Sequence, residues 1–363
     1  LILNTGLFPH TVILFTAFRG FKMVIDFHAH IFPDALAPRA RQSLADSTVH
    51  FGHPYTPLTE MTRDSLLEHM AMWGVDISVI QPVVTKPSQT VTTNNWAAQV
   101  QGDGIVAFGG IHPETDDYKR DIDLVASLGL KGIKLHPEYQ RFEPDEERML
   151  RIYDYAFSKE LIILHHAGFD PGMPEPFHSD PERFAKMLDK ISGGVFVLAH
   201  LGSQQMWDKV EEYLVGRAVY FDTSLGFECF PSEQFMRIVK NHGADKILFG
   251  SDSPWSNASK ELEILNSLPL TDEEKQLEII EKIANEELNY KGLCDEVRQF
   301  LRDMTRKRTE RERKTTTSFE KNVPLYINTV KRTVQLLRNS GARAELAQIE
   351  GEDRVEFTIK VAK

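Results

Sequence analysis

Val24-Ile-Asp-Phe-His-Ala-His30 decides how the rest of the chain is read. Ile25, Phe27 and Ala29 alternate with Asp26, His28 and His30, the period of a strand with one apolar and one polar face. A doubly wound open sheet usually follows its first strand with a glycine-rich phosphate turn, and here the strand ends in His-Ala-His instead. Working outward, seven more short apolar, β-branched runs lie at 77–84, 105–112, 132–136, 161–166, 195–200, 219–223 and 246–251. Between them come segments of helical periodicity at 63–73, 117–128, 145–158, 181–191, 204–215 and 232–241, with a last helix at 273–288. Such alternation is the grammar of βαβ units. Eight strands alternating with helices within about 265 residues predict an α/β chain folded as a (β/α)₈ TIM barrel.

The polar residues gather where that fold would put an active site, at the C-terminal ends of the strands. Strand one ends in His28 and His30, strand three in His112, strand four in Lys134 and His136, and strand five in His165 and His166. Strand six ends in His200, strand seven in Asp222 and strand eight in Asp252. A lone histidine is more often a satisfied, partly buried residue, but recurrence at one rim argues for a site. With the polar face of strand one inward, His28 and His30 offer two imidazole nitrogens to a single ion. His166 and Asp252, from other strands, could close the ligand set, and His200 is then left as a base or charge stabiliser. Imidazole with carboxylate suits Zn²⁺ first, with Mn²⁺ or Fe²⁺ as alternatives. His165 should face away from His166 by alternation and serve packing. Arg39, Arg41 and Arg63 follow strand one and could pair a substrate carboxylate. Phe169, His178, Phe227 and Phe230 fall in loops at the expected mouth and suit an aromatic or unsaturated acid.

Five motifs in order, Asp26-Phe-His-Ala-His-Ile-Phe-Pro33, Gly132-Ile-Lys-Leu-His-Pro137, His166-Ala-Gly168, Ala199-His-Leu-Gly202 and Phe249-Gly-Ser-Asp-Ser-Pro254, resemble the amidohydrolase-related branch of the amidohydrolase superfamily. That branch includes aminocarboxymuconate semialdehyde decarboxylase-like enzymes. The resemblance implies one divalent metal ion, usually zinc, bound by His28, His30, His166 and Asp252. It implies catalytic roles for His200 and for Asp252, whose carboxylate can also take a proton from water. Lys134, His136, Arg41 and Trp255 are the substrate-side candidates. The expected activity is hydrolysis of a C–N or C–O bond of a small molecule by metal-bound water or hydroxide. Non-oxidative decarboxylation of an unsaturated or aromatic acid is the alternative, and a non-catalytic metal- or ligand-binding barrel the third reading.

Composition bounds the rest. The formal charge of −11 disfavours whole-molecule attraction to nucleic acid or an anionic membrane. Two cysteines, Cys229 and Cys294, make neither a disulfide framework nor a zinc finger. With no export signal, they point to a cytoplasmic protein acting on a small molecule, and a homo-oligomer is compatible with this. The apolar run 11–18 is far short of the roughly 20 residues that span a bilayer. Residues 1–22 are read as an N-terminal extension outside the native protein, and 23–290 as the barrel. Residues 291–321 read as a charged linker or helix, and 322–363 as a helix plus β-hairpin module of unknown role. The last 62 residues hold 15 Lys/Arg against 9 Asp/Glu, the reverse of the rest. A charge split of this kind suggests two units. In the module, Val323, Ile327, Val330, Val334 and Leu337 form a helical stripe, and 343–349 and 355–361 alternate as a hairpin.

Overall fold

The computed structural model describes residues 24–226 and 229–270 with their side chains, and the backbone of four strands beyond them. The chain divides into two compact units, Lys22–Arg298 and the pair Leu1–Phe21 with Gln299–Lys363.

The larger unit is built from β1 (Ile25–Ala29), β2 (Ile77–Ile80), β3 (Ile105–Ala107, resuming at Gly109–Gly110), β4 (Gly132–Leu135), β5 (Ile162–His165), β6 (Phe196–Leu198), β7 (Tyr220–Asp222) and β8 (Ile247–Leu248). Each pairs in parallel with the next, so strand order follows chain order. The ring closes between its ends: Phe27 N donates to Phe249 O at 2.8 Å, Asp252 N donates to His28 O at 2.8 Å, and Ala29 bridges Ser253 in parallel. Closure removes both sheet edges and makes an eight-stranded barrel.

Around it lie α1 (Ala37–His50), α2 (Arg63–Trp73), α3 (Thr90–Val100), α4 (Tyr118–Ser127), the single turn α5 (Pro137–Gln140), α6 (Glu147–Ser158), α7 (Pro181–Lys190), α8 (Trp207–Tyr213), α9 (Ser232–His242) and α10 (Ala258–Ser267). Several begin where a side chain satisfies a free backbone N–H. Thr62 accepts from Ser65 N, Asp117 from Arg120 N, and Asp180 from Glu182 N ahead of Pro181. Ile133, Ile163, Leu198 and Phe221 on the strands are fully buried with Ile122, Phe184 and Ile238 on the helices. This shell is the layer that strand alternation leaves on the outside of the barrel, and burying it drives the fold. Among the described residues, no helix is long and apolar enough to cross a membrane.

The smaller unit shows one four-stranded sheet in the order Arg343–Glu350, Val355–Ala362, Ile2–Thr5, Val12–Leu14. The first two strands form the antiparallel hairpin that alternation indicates. Two segments of the N-terminal extension join them, Ile2–Thr5 in parallel with Val355–Ala362 and Val12–Leu14 antiparallel to Ile2–Thr5. The expected helix at 273–288, the charged run, the stripe from Val323 to Leu337 and Phe227 lie outside the described residues.

Candidate active site

The ends of β1, β4, β5, β6 and β8 deliver side chains to one rim, while His112 after β3 is not among them, and the backbone bends to aim two of these residues. His200 and Asp252 adopt left-handed φ angles of 60° and 61°. Such a conformation costs a non-glycine residue about 1–2 kcal/mol and persists only where neighbours enforce it. Here Leu201 N donates to Asp222 O at 2.6 Å and Asp252 N to His28 O, which pin both turns.

The hydrogen bonds then fix which nitrogen of each ring carries its proton. His30 Nδ1 lies 2.9 Å from the carbonyl of Gln81, which only accepts, so Nδ1 is protonated and Nε2 bears a lone pair. His28 Nδ1 donates to Asp222 Oδ2 at 2.9 Å, leaving its Nε2 free to accept. The two Nε2 atoms lie 3.1 Å apart. Asp252 Oδ1 stands 3.1 Å from His30 Nε2 and 3.5 Å from His28 Nε2. Ligands about 2.0–2.2 Å from one ion at tetrahedral to right angles lie about 2.8–3.6 Å apart, so these donors fit a divalent cation. Within the protein the positive charge at this cluster is Lys134, whose Nζ donates to His28 Nε2 at 2.9 Å.

Beside this triad stands a second group, His136, His166 and Asp170. His166 therefore sits next to the triad rather than inside its tightest cluster, and its Nε2 is buried with no hydrogen-bond partner. An orphaned acceptor there is expensive unless something outside the protein meets it. His200 Nδ1 faces the Ser224 carbonyl at 3.0 Å and is the protonated nitrogen; its Nε2 lies 3.1 Å from His166 Nδ1. His136 accepts from Tyr139 N at Nδ1 and donates to Asp170 Oδ2 at 3.2 Å, its ring stacked between Tyr139 and His166.

Electrostatics follow from burial and from these partners. Burial, with Lys134 beside it, lowers the His28 pKa to about 4, so the ring is neutral at pH 7. Burial likewise brings the Lys134 ammonium down to about 8, although Asp252, Asp222 and Asp170 oppose the shift. For Asp222 burial pulls upward, but the charge and hydrogen bond of His28, then His200 and Ser224, outweigh it and hold the carboxyl at about 2. Asp252 is also held well below the usual carboxylate range: burial raises it, and His28 and His30 more than offset that. Burial, as the largest cause, holds His136 and His166 well below the ordinary imidazole value, and the Lys134 ammonium adds to it.

A cavity of about 510 Å³ opens over the rim, lined by His28, His30, Lys134, His136, His166, His200, Asp252 and Trp255. Arg41 is not among the lining residues. Its guanidinium donates to Thr59 O and Pro57 O, both at 3.2 Å, and so ties down the loop after α1 instead of facing a substrate. Arg63 is likewise engaged, by Val100 O and Asp103. His165 points away from the cavity, as alternation requires, into a cage of Phe142, Tyr153, Phe184 and Phe196.

Sequence reasoning gave no role to three carboxylates that organise the rim. Besides His28, Asp222 accepts from His200 N at 3.1 Å, from Ser224 N at 3.0 Å and from Ser224 Oγ. Asp170 holds His136. Glu138 receives His178 N, Ser179 N and Ser179 Oγ and so fastens the loop that carries Asp170. The position of Asp222 at the end of β7, on the same rim as the histidines, was the one signal available for it.

Residues 25–286 match the family model described as Amidohydrolase. Among solved structures, an uncharacterised TIM-barrel protein from Bordetella bronchiseptica is 18% identical, covering 72% of this chain and 98% of its own at a TM-score of 0.57. A 5-carboxyvanillate decarboxylase from Sphingomonas paucimobilis is 16% identical, covering 73% and 98% at a TM-score of 0.55. A 5-carboxyvanillate decarboxylase from Novosphingobium aromaticivorans, solved with bound manganese, is 14% identical, covering 70% and 94% at a TM-score of 0.52. At these identities the likeness is one of fold, the (β/α)₈ barrel. Among curated proteins, the nucleoid occlusion protein of Geobacillus thermodenitrificans is 28% identical over 96 residues, 26% of this chain and 33% of that protein. The chain thus spans about a third of the length of the curated relatives it matches. With its matching segment running from the first barrel strand past the last, and with the rim that segment builds, the chain belongs to the amidohydrolase family and is an enzyme of that superfamily.

Proposed function

We propose that the protein hydrolyses a C–N or C–O bond of a small molecule, with His28, His30, His166 and Asp252 holding one divalent ion, Zn²⁺ by the chemistry of its donors. The observation that carries this reading is the approach of the His28 and His30 Nε2 lone pairs to 3.1 Å beside the Asp252 carboxylate. Acceptors gathered at that spacing repel one another unless a cation lies between them. The ion supplies a Lewis acid beside the bond to be broken. His200 moves the proton: its Nδ1–H is committed to Ser224 O, so Nε2 is the atom that takes up or returns one. His166 Nδ1, 3.1 Å away, carries a proton when His166 Nε2 meets the ion and so donates to the unprotonated His200 Nε2. Asp222 keeps His28 and His200 oriented through one carboxylate. Lys134 presents an ammonium to an anionic oxygen of the substrate.

Lys134 also favours a second reading, non-oxidative decarboxylation, because a buried ammonium suits a carboxylate head. The two 5-carboxyvanillate decarboxylases that share the fold support it. In that reaction His200 Nε2 would deliver the proton that replaces CO₂. Product analysis of the metal-loaded protein tests the choice, with amide, ester and lactone panels set against CO₂ release from aromatic and unsaturated acids. Hydrolysis supports the first reading, and CO₂ release without hydrolysis moves the assignment to the second. A full metal complement in both His28→Ala and Asp252→Ala would reject the ligand assignment.

A further inference from the structure

The cavity over the rim has two unlike parts. The charged side chains lining it, other than histidines, are Lys134, Asp170 and Asp252, all at or just after strand ends. Two helices, α1 and α3, contribute to the remaining wall, alongside uncharged residues of the loops after β1, β2 and β5. Ala40, Leu44 and Thr48 of α1 face the cavity at i, i+4 and i+8, a single helix stripe. The charged residues of α1 turn elsewhere: Arg41 binds Thr59 O and Pro57 O, Asp46 accepts from Gln42, and Arg39 is exposed. From α3, Thr93 and Trp96 line the cavity. None of the eleven residues of α3 is charged, whereas α7, outside this wall, carries five charged residues in ten.

A charged group lying against that wall would lose water and gain no counter-charge. A volume of 510 Å³, at about 30 Å³ per water-sized group, has room for about 17 non-hydrogen atoms, well beyond a bare ring acid. Among the described lining residues, Lys134 is the one ammonium and there is no guanidinium, so the site can neutralise one anionic head at the rim and no second charge further out.

We infer that the substrate is an amphiphile: one anionic or polar head at the rim and an uncharged, largely apolar aryl-alkyl or acyl body running between α1 and α3. The inference rests on the rim being the reacting centre, as proposed above. Trp96 and Trp255 both line the cavity, so occupancy is readable as tryptophan fluorescence. The experiment titrates the full-length, Zn²⁺-loaded protein with ω-phenylalkanoates from phenylacetate to 6-phenylhexanoate, and with α,ω-dicarboxylates of matched length. Affinity should climb by up to about fourfold per added methylene, the worth of burying one CH₂, and each dicarboxylate should bind at least about tenfold more weakly than its phenyl counterpart, since its second charge is desolvated without a partner. Leu44→Asp should flatten the length dependence without changing metal uptake, and Thr93→Lys should restore dicarboxylate binding. Affinity independent of length, or dicarboxylates bound as well as their counterparts, overturns the inference while a normal metal titration leaves the metal reading standing. A protein that takes up no ion overturns the metal reading, and the substrate assignment falls with it.

Discussion

Replacing Asp222 by asparagine tests whether one buried carboxylate sets the proton positions of the site. Asp222 is fully buried and receives four hydrogens, from His28 Nδ1, His200 N, Ser224 N and Ser224 Oγ. Asparagine keeps the shape, and with its oxygen on the Oδ1 side it still accepts the last three. On the Oδ2 side it presents an N–H to His28, so Nδ1 must accept and the ring proton moves to Nε2. His28 can then bind a cation only by setting N–H against N–H. Losing one hydrogen bond to a charged group costs about 1.5–3 kcal/mol, or about 10- to 100-fold in metal affinity at 1.4 kcal/mol per decade. Disturbing the partner of a ligating histidine costs a similar 10–100-fold. The assay is competition against a chromophoric chelator, with melting of the metal-free proteins alongside. Asp222→Asn should melt near the wild type, whereas Asp222→Ala, which strands all four donors at about 1–3 kcal/mol each, should be destabilised by several kcal/mol. Zinc affinity in Asp222→Asn within twofold of wild type would refute the reasoning, as would equal losses of folding stability in the two variants.

Chelation should lower the melting temperature of wild-type protein and leave His28→Ala unmoved, since an ion at about a thousandfold above its Kd adds about 4 kcal/mol to the folded state; equal shifts in both would place the ion elsewhere. His242, far along α9, accepts from Gly216 N and donates to Val219 O, and burial lowers its pKa to about 4. The unfolded chain binds its proton near pH 6.5, so this contribution is present above 6.5 and about 3 kcal/mol of it drains away as pH falls to 4; denaturant curves of His242→Gln should lack that slope. Arg41→Ala should weaken the loop at Pro57 and Thr59 while leaving phenylalkanoate affinity within about twofold, because the guanidinium bonds backbone carbonyls; a tenfold loss would return Arg41 to the site. Gly168 holds φ +84°, and a Cβ there would lie 2.4 Å from Gln204 N, so Gly168→Ala should cost several kcal/mol in chemical denaturation; a wild-type midpoint would contradict the packing.

The barrel was legible because its strands are short β-branched runs closed by polar residues, a pattern that depends only on alternation. The helix α3 was not. Thr90-Val-Thr-Thr is poor helix-forming sequence, and Asn94 and Asn95 add little. Tertiary contacts supply the difference: the Asn94 side chain donates to Gly110 O and accepts from Gly110 N, and Ala97 is fully buried. That same bond leaves β3 room only for glycine, since a Cβ on Gly109 would sit 2.7 Å from Asn94 Oδ1. A pairing between positions sixteen residues apart leaves no periodic trace in the sequence. The substrate wall inherits this illegibility, because its uncharged face belongs to a helix that propensity does not announce.

At the rim, residue types were readable and roles were only partly so. Strand ends bring His28, His30, Lys134, His136, His166, His200 and Asp252 to one cavity, which spacing along eight strands can anticipate. Spacing carries no information on where a side chain finds its partner. Arg41 follows strand one as a substrate-binding arginine might, yet two carbonyls at positions 57 and 59 capture it. His30 and His200 are aimed by backbone carbonyls, Gln81 O and Ser224 O, which every residue possesses and no sequence motif marks. Because a carbonyl can only accept, each of these contacts decides the tautomer of the ring it holds. In the proposed metal site the Gln81 carbonyl thus decides which His30 nitrogen can meet a cation, and substitutions behind the rim should alter metal binding without touching a ligand.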